Sequence, residues 1–107
     1  MKTAGFSQSI TGIGAVAVNS NPFNVGAQTT VFMMAKVTGT GLTGTVKLQV
    51  SADGVEWADL VSGSQSMGAT GGNLYWNIEH FGGLAVRAQA VASAGTAAVV
   101  LTGYAKG

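Results

Sequence analysis

An all-β, two-sheet sandwich is the fold this chain of 107 residues predicts, and three observations carry the prediction. The 13 valines and 11 threonines against 6 leucines favour pleated over helical backbone. The 17 glycines punctuate the chain and leave strand-sized segments between them. Several of those segments alternate apolar and polar residues, as a strand with one face in a core does. About eight short strands suit a jelly roll. The length fits one domain, residues 1–107, able to bury a core without staples.

The elements follow in order. Residues 1–14 carry Phe6 and Ile10 among small polar residues, and they form either an ordinary first strand or an N-terminal arm that orders on a neighbouring subunit. Short strands are expected at 9–11 and 15–18, with Pro22 in a loop over 19–24, where it interrupts no ladder. In 28–38, Val31, Met33, Ala35 and Val37 share one parity, but Phe32 and Met34 occupy the other. Both faces of that strand are therefore expected to be covered, the second by another subunit.

After a glycine-rich connection over 39–44, residues 45–52 set Val46, Leu48, Val50 and Ala52 against Thr45, Lys47, Gln49 and Ser51. Asp53-Gly54 suits the positive φ of a tight hairpin turn, and 55–61 returns as the partner strand. A second flexible connection, Gly/Ser-rich around Met67, is expected over 63–72. Leu74, Trp76 and Ile78 then alternate with Tyr75, Asn77 and Glu79, which assigns Trp76 to the core and Tyr75 to the surface. Beyond Phe81 and Gly82-Gly83, the alanines of 84–92 favour a helix by propensity. That segment has no capping residue and alternates Leu84, Val86, Ala88 and Ala90 against Arg87 and Gln89, so it reads as a strand. Residues 96–104 close the chain with Ala97, Val99 and Leu101 opposite Ala98, Val100 and Tyr104, again apolar on both parities.

Charge narrows the function. Four acidic and five basic residues make 8% of the chain, about a third of the ~25% usual for a soluble domain. A surface partly covered by other protein is the expectation. Lys2, Lys36, Lys47, Arg87 and Lys106 are scattered, so no basic patch suggests nucleic acid. No stretch is long and apolar enough to cross a bilayer. Cysteine is absent, which removes disulfides, thiolate zinc sites and thiol nucleophiles. Ser7, Gln8, Ser9 and Thr11 interrupt the N-terminal stretch, unlike a signal peptide, so the chain is expected to be made and assembled inside a cell.

Residues with chemistry are few, and neither catalysis, cofactor binding nor a metal site is expected of them. Asp53, Glu56 and Asp59 offer oxygen ligands to a hard cation, but the simpler reading gives Asp53 to the turn and the other two to an exposed strand with opposite parities. A glycosidase pair would need two facing carboxylates, with Glu79 the remaining acid. His80, the sole histidine, has no matched nucleophile and suits a turn at a strand end. Trp57, Tyr75, Trp76 and Phe81 can be imagined as a sugar-stacking face; of these, Tyr75 is the one expected to face a ligand.

Ser51-Ala52-Asp53-Gly54-Val55-Glu56-Trp57 resembles the Asp-box of sialidase-like propellers, but glycine and tryptophan each come one residue early and the motif occurs once. A propeller requires several blades. The motif reads as a hairpin with Trp57 packed on the core. Combined with the Tyr75-Trp76-Asn77-Ile78 strand and the 82–90 segment Gly-Gly-Leu-Ala-Val-Arg-Ala-Gln-Ala before an apolar last strand, it resembles small virion proteins of tailed bacteriophages over residues 45–105. The likeness is greatest to head-decoration, or capsid cement, proteins. That resemblance implies a non-enzymatic structural protein, a homo-oligomer and in particular a trimer, bound to the major capsid protein on the capsid surface of a virion assembled in the host cytoplasm. Phe6, Ile10, Phe32, Met34, Val100 and Tyr104 are the residues expected at interfaces. A carbohydrate-binding or fibre-type module and a tail or adaptor component remain as alternatives.

Overall fold

A computed structural model describes residues 3–25 and 28–107. Among them, nine strands form two antiparallel sheets, and no helix occurs. The strands are β1 (Thr3–Ile13), β2 (Val18–Asn19), β3 (Phe23–Asn24), β4 (Thr30–Thr38), β5 (Thr43–Ser51), β6 (Ala58–Ser66), β7 (Gly71–Ile78), β8 (Ala85–Ala94) and β9 (Ala97–Lys106). One sheet runs β1-β9-β4-β7; the other runs β2-β8-β5-β6, with β3 also paired to β8. Only β2 to β3 and β5 to β6 stay within a sheet, and every other connection crosses the sandwich. This winding is that of a jelly roll.

β2 and β3 are one strand interrupted. Pro22 has no N–H to give to a ladder, and the gap is bridged by Ser20, whose backbone N–H donates to the Ala88 carbonyl at 2.8 Å. The Ser20 hydroxyl accepts the Ala88 N–H at 2.9 Å. Ser20 is buried, so its side chain replaces a ladder bond that the backbone cannot make there.

The core lies between the sheets. Val31, Met33, Ala35 and Val37 of β4 meet Val46 and Leu48 of β5, Val86 to Ala92 of β8 on alternate positions, and Val99 and Leu101 of β9. Full burial of a side chain such as Met33 or Leu48 contributes about 1.5–3 kcal/mol. Gly103 makes room for this packing, because a Cβ there would stand 3.0 Å from the Met33 sulfur and from the Phe32 carbonyl.

The structure corrects the expected elements in four places. The N-terminal segment forms a long strand along β9, from Thr3 opposite Lys106 to Ile13 opposite Ala97, which is the ordinary-strand reading; Met1 and Lys2 lie outside the described residues. The expected strand at 15–18 shrinks to Val18–Asn19, since of residues 15–18 Val18 alone pairs in register with β8. The turn after β5 is wide, and β6 begins at Ala58, leaving Ala52 and Val55 exposed in the loop. The supposed flexible stretch 63–72 is mostly strand, with a short turn around Met67, which is buried.

β6 also carries a large bulge. Its register with β5 jumps from Lys47 opposite Ser64 to Gln49 opposite Asp59, so residues 60–63 stand against Leu48 alone. Ser62 turns with φ 59°, and Val61 is 89% exposed. The displaced Gly63 carbonyl accepts the indole N–H of Trp76 at 2.7 Å, which satisfies the buried donor of that core side chain.

Candidate functional site

The outward face of the four-stranded sheet gathers five apolar side chains. Antiparallel pairing sets Phe32 beside Tyr104 on one flank and Asn77 on the other, and sets Met34 between Thr102 and Tyr75. Val100 lies opposite Lys36 in the next row. The Phe32 ring stacks on Tyr75 at 5.9 Å between centroids and meets Tyr104 at 6.1 Å in a tilted pair. Met34 is 38% exposed, Val100 42%, Tyr104 45% and Tyr75 61%. Singly exposed apolar residues are ordinary, but a contiguous cluster is a candidate interaction surface. Lys36 borders the cluster at one end, and Lys106 and Glu79 lie with Thr30 around a shallow depression at the other.

Phe32, Met34, Val100 and Tyr104 are thus brought together as the sequence expects, and Tyr75, expected as a separate ligand-facing residue, joins them. Phe6 and Ile10 do not belong to this face. Along β9 the odd-numbered residues Val99, Leu101 and Gly103 point inward, and the register puts Ile10 opposite Val99 and Phe6 opposite Gly103. Ile10 is buried, and Phe6 stacks on Phe23 of the other sheet at 5.4 Å. Both side chains serve the core.

A second feature lies at one end of the sandwich. The 52–57 loop and the 80–83 loop flank an open cleft of ≈ 640 Å³. Its floor is formed by Val50, Leu60, Ile78 and Phe81, and Trp57 with the Asp53, Glu56 and His80 side chains borders it. The Ser51-x-Asp53-Gly54 motif builds one wall. Ser51 Oγ accepts the Gly54 N–H at 2.7 Å, and Asp53 Oδ1 accepts the N–H groups of Val55 and Glu56 at 2.9 and 3.0 Å. The backbone N–H groups of Glu56 and Val55, with the Ser51 hydroxyl behind them, hold the Asp53 carboxyl below its ordinary 3.8. His80 takes φ 57° in the opposite loop, the turn position expected of it.

Trp57 does not pack on the core. Its ring lies under the Arg87 guanidinium, 4.4 Å from the centroid. Arg87 Nε donates to Gln49 Oε1 at 2.8 Å, Gln49 Nε2 donates to Asp59 Oδ1 at 3.0 Å, and Lys47 Nζ reaches Asp59 Oδ2 at 3.1 Å. Asp59 is consequently held below its usual value, chiefly by the Gln49 amide and then by Lys47. The acidic trio is thereby divided: Asp53 is bound to its own loop and Asp59 to the outer face of β5. Among the described residues, no three His, Asp or Glu side chains converge as metal ligands. The four aromatics imagined as one sugar-stacking face are divided as well, because Trp76 is buried, Tyr75 lies on the other sheet, and only Trp57 and Phe81 share the cleft.

The architecture is that of a jelly-roll-like β-sandwich, and solved structures share it. The PBSX exported protein XepA matches 96% of this chain with a TM-score of 0.68 at 14% identity, and the match spans 37% of XepA. The SPBc2 prophage-derived protein YomS matches 98% of this chain and 96% of its own length, with a TM-score of 0.54 at 20% identity. A subunit from the disulfide-linked pili of Bacillus endospore appendages matches 98% of this chain and 87% of its own, with a TM-score of 0.56 at 21% identity. At these identities the likeness is one of fold, and none of these three is a capsid cement protein. No protein-family model and no curated protein matches the sequence.

Proposed function

We propose that this chain is a non-enzymatic structural subunit of a phage particle, a homotrimer that decorates the capsid by contact with the major capsid protein. The observation that carries the reading is the outward cluster of half-buried Phe32 with exposed Met34, Tyr75, Val100 and Tyr104 on one sheet face. A protein that cements a shell works by covering surface and joining neighbours. That task needs no acid–base pair. Apolar burial at ~25 cal/mol per Å² gives several kcal/mol from a few hundred Å² before ordering costs, and repetition over a shell multiplies it. The sandwich likeness to a prophage-derived protein and to a PBSX protein supports a phage setting, and the virion surface is the place such a subunit would occupy.

Native mass spectrometry over a dilution series, followed by co-sedimentation with empty phage shells, tests the proposal. A trimer that pellets with shells is the expected result. Ring stoichiometry without shell binding would favour a tail adaptor. A monomer at every concentration that also fails to pellet would overturn the assignment.

A further inference from the structure

The end cleft is lined for a ligand, and it is independent of the sheet face on which self-association is proposed. We propose that the cleft binds an uncharged pyranose sugar, stacked on Trp57. Three features select that class. First, Arg87 covers the Trp57 ring at 4.4 Å yet is absent from the cleft lining, so the guanidinium backs the indole while the ring borders the cleft. The bonds from Arg87 to Gln49, from Gln49 to Asp59 and from Lys47 to Asp59 fix that guanidinium, which pre-orients the ring. An indole held this way is a platform for the flat, C–H-rich face of a sugar ring.

Second, the rim carries two carboxylate acceptors, Asp53 and Glu56, beside the His80 imidazole. Asp53 spends Oδ1 on its loop, while Oδ2 takes no hydrogen bond among the described residues; the Glu56 carboxylate is exposed beside it. Acceptors of this kind suit the hydroxyl donors of a sugar. Third, no lysine or arginine lines the cleft among the described residues, so a phosphate, nucleotide or acidic sugar would meet carboxylates without compensation. The volume, ≈ 640 Å³, lies within the range of small-ligand sites, about 300–1,000 Å³.

The chain has two tryptophans, and Trp76 is buried with its N–H bonded, so a ligand-dependent change in tryptophan emission reports Trp57. The experiment screens the full chain on an array of neutral glycans and then titrates it with cellotriose, maltotriose and N-acetylglucosamine trimer, following emission. Saturable quenching of the parent chain by at least one neutral glycan is expected, and calorimetric titration of the parent and of Trp57→Ala, which lacks the emission reporter, should show the affinity weakened about thirtyfold in the variant. Trp57→Phe should retain part of the affinity, and Arg87→Ala should weaken binding with Trp57 still present. Met34→Lys, on the remote sheet face, should leave it unchanged. Absence of any glycan response in both formats would overturn the proposal. So would affinity undiminished in Trp57→Ala, or selective binding of choline in place of sugars.

Discussion

Met34 is the residue at which the proposed assembly and the folding of the chain should separate. It lies on β4 between Val31 and Met33 on one side and Ala35 on the other, all buried, yet its own chain turns outward at 38% exposure beside Phe32 and Tyr75. Met34→Lys should therefore leave the thermal midpoint near that of the parent while shifting the native mass to monomer. An unchanged oligomer mass would remove Met34 from the interface. Asp53 and Asp59 make a second prediction, in pH. Both carboxyls are held below their ordinary values when folded, so each contributes stability that is present above the unfolded carboxylate range and lost as pH falls through the folded value. The melting temperature should be level near neutrality and decline on the acid side, and the decline should be shallower in Asp53→Asn combined with Asp59→Asn. The Lys47–Asp59 pair lies at the solvent surface, so salt should mute the Lys47 contribution to Asp59.

At the scale of elements, the split between β2 and β3 makes Ser20 a structural residue. Ser20→Ala would strand the Ala88 N–H inside the sandwich, and denaturant unfolding should register a loss of about 1–3 kcal/mol. Elements with strict alternation were the legible ones. β4, β8 and β9 each place their core residues on one parity, and the alanine-rich β8 is a strand because that parity outweighs its helical propensity. The outward cluster was legible for Phe32, Met34, Val100 and Tyr104 for the same reason. What parity cannot give is pairing between distant segments. Tyr75 joins the cluster because β7 runs beside β4, and Phe6 leaves it because β1 is registered on β9; both facts depend on contacts remote in sequence. The β6 bulge was hidden too, since Leu60, Val61, Ser62 and Gly63 contain no proline or charge to mark the extra residues. The cleft was partly visible in the Ser51-Asp53-Gly54-Trp57 motif. Its second wall, the loop at His80 and Phe81, was not.

For the whole molecule, the two proposals fall on separate parts of the sandwich: self-association on a sheet face and sugar binding at the end cleft. A variant that abolishes one should spare the other, and the paired measurements of native mass and tryptophan emission examine this directly. Between them lies the core, tied by Trp76, whose N–H reaches from β7 in one sheet to the Gly63 carbonyl in the other. Trp76→Phe keeps most of the apolar volume and removes this bond, so unfolding free energy should fall by about 1–3 kcal/mol, as read from urea titration.

That same link bears on aggregation. β6 and β7 are the outermost strands of their sheets on one side, and the backbone of an edge strand is a template on which a foreign strand can add. Here two of the acceptors are already occupied, because Gln65 Nε2 also donates across to the Tyr75 carbonyl at 2.6 Å. The bulge twists the rest of β6 out of line. The two sheets are laced together by side chains along this flank, much as a barrel is closed by backbone, and strand addition there should be hindered in a chain whose low charge offers little other protection.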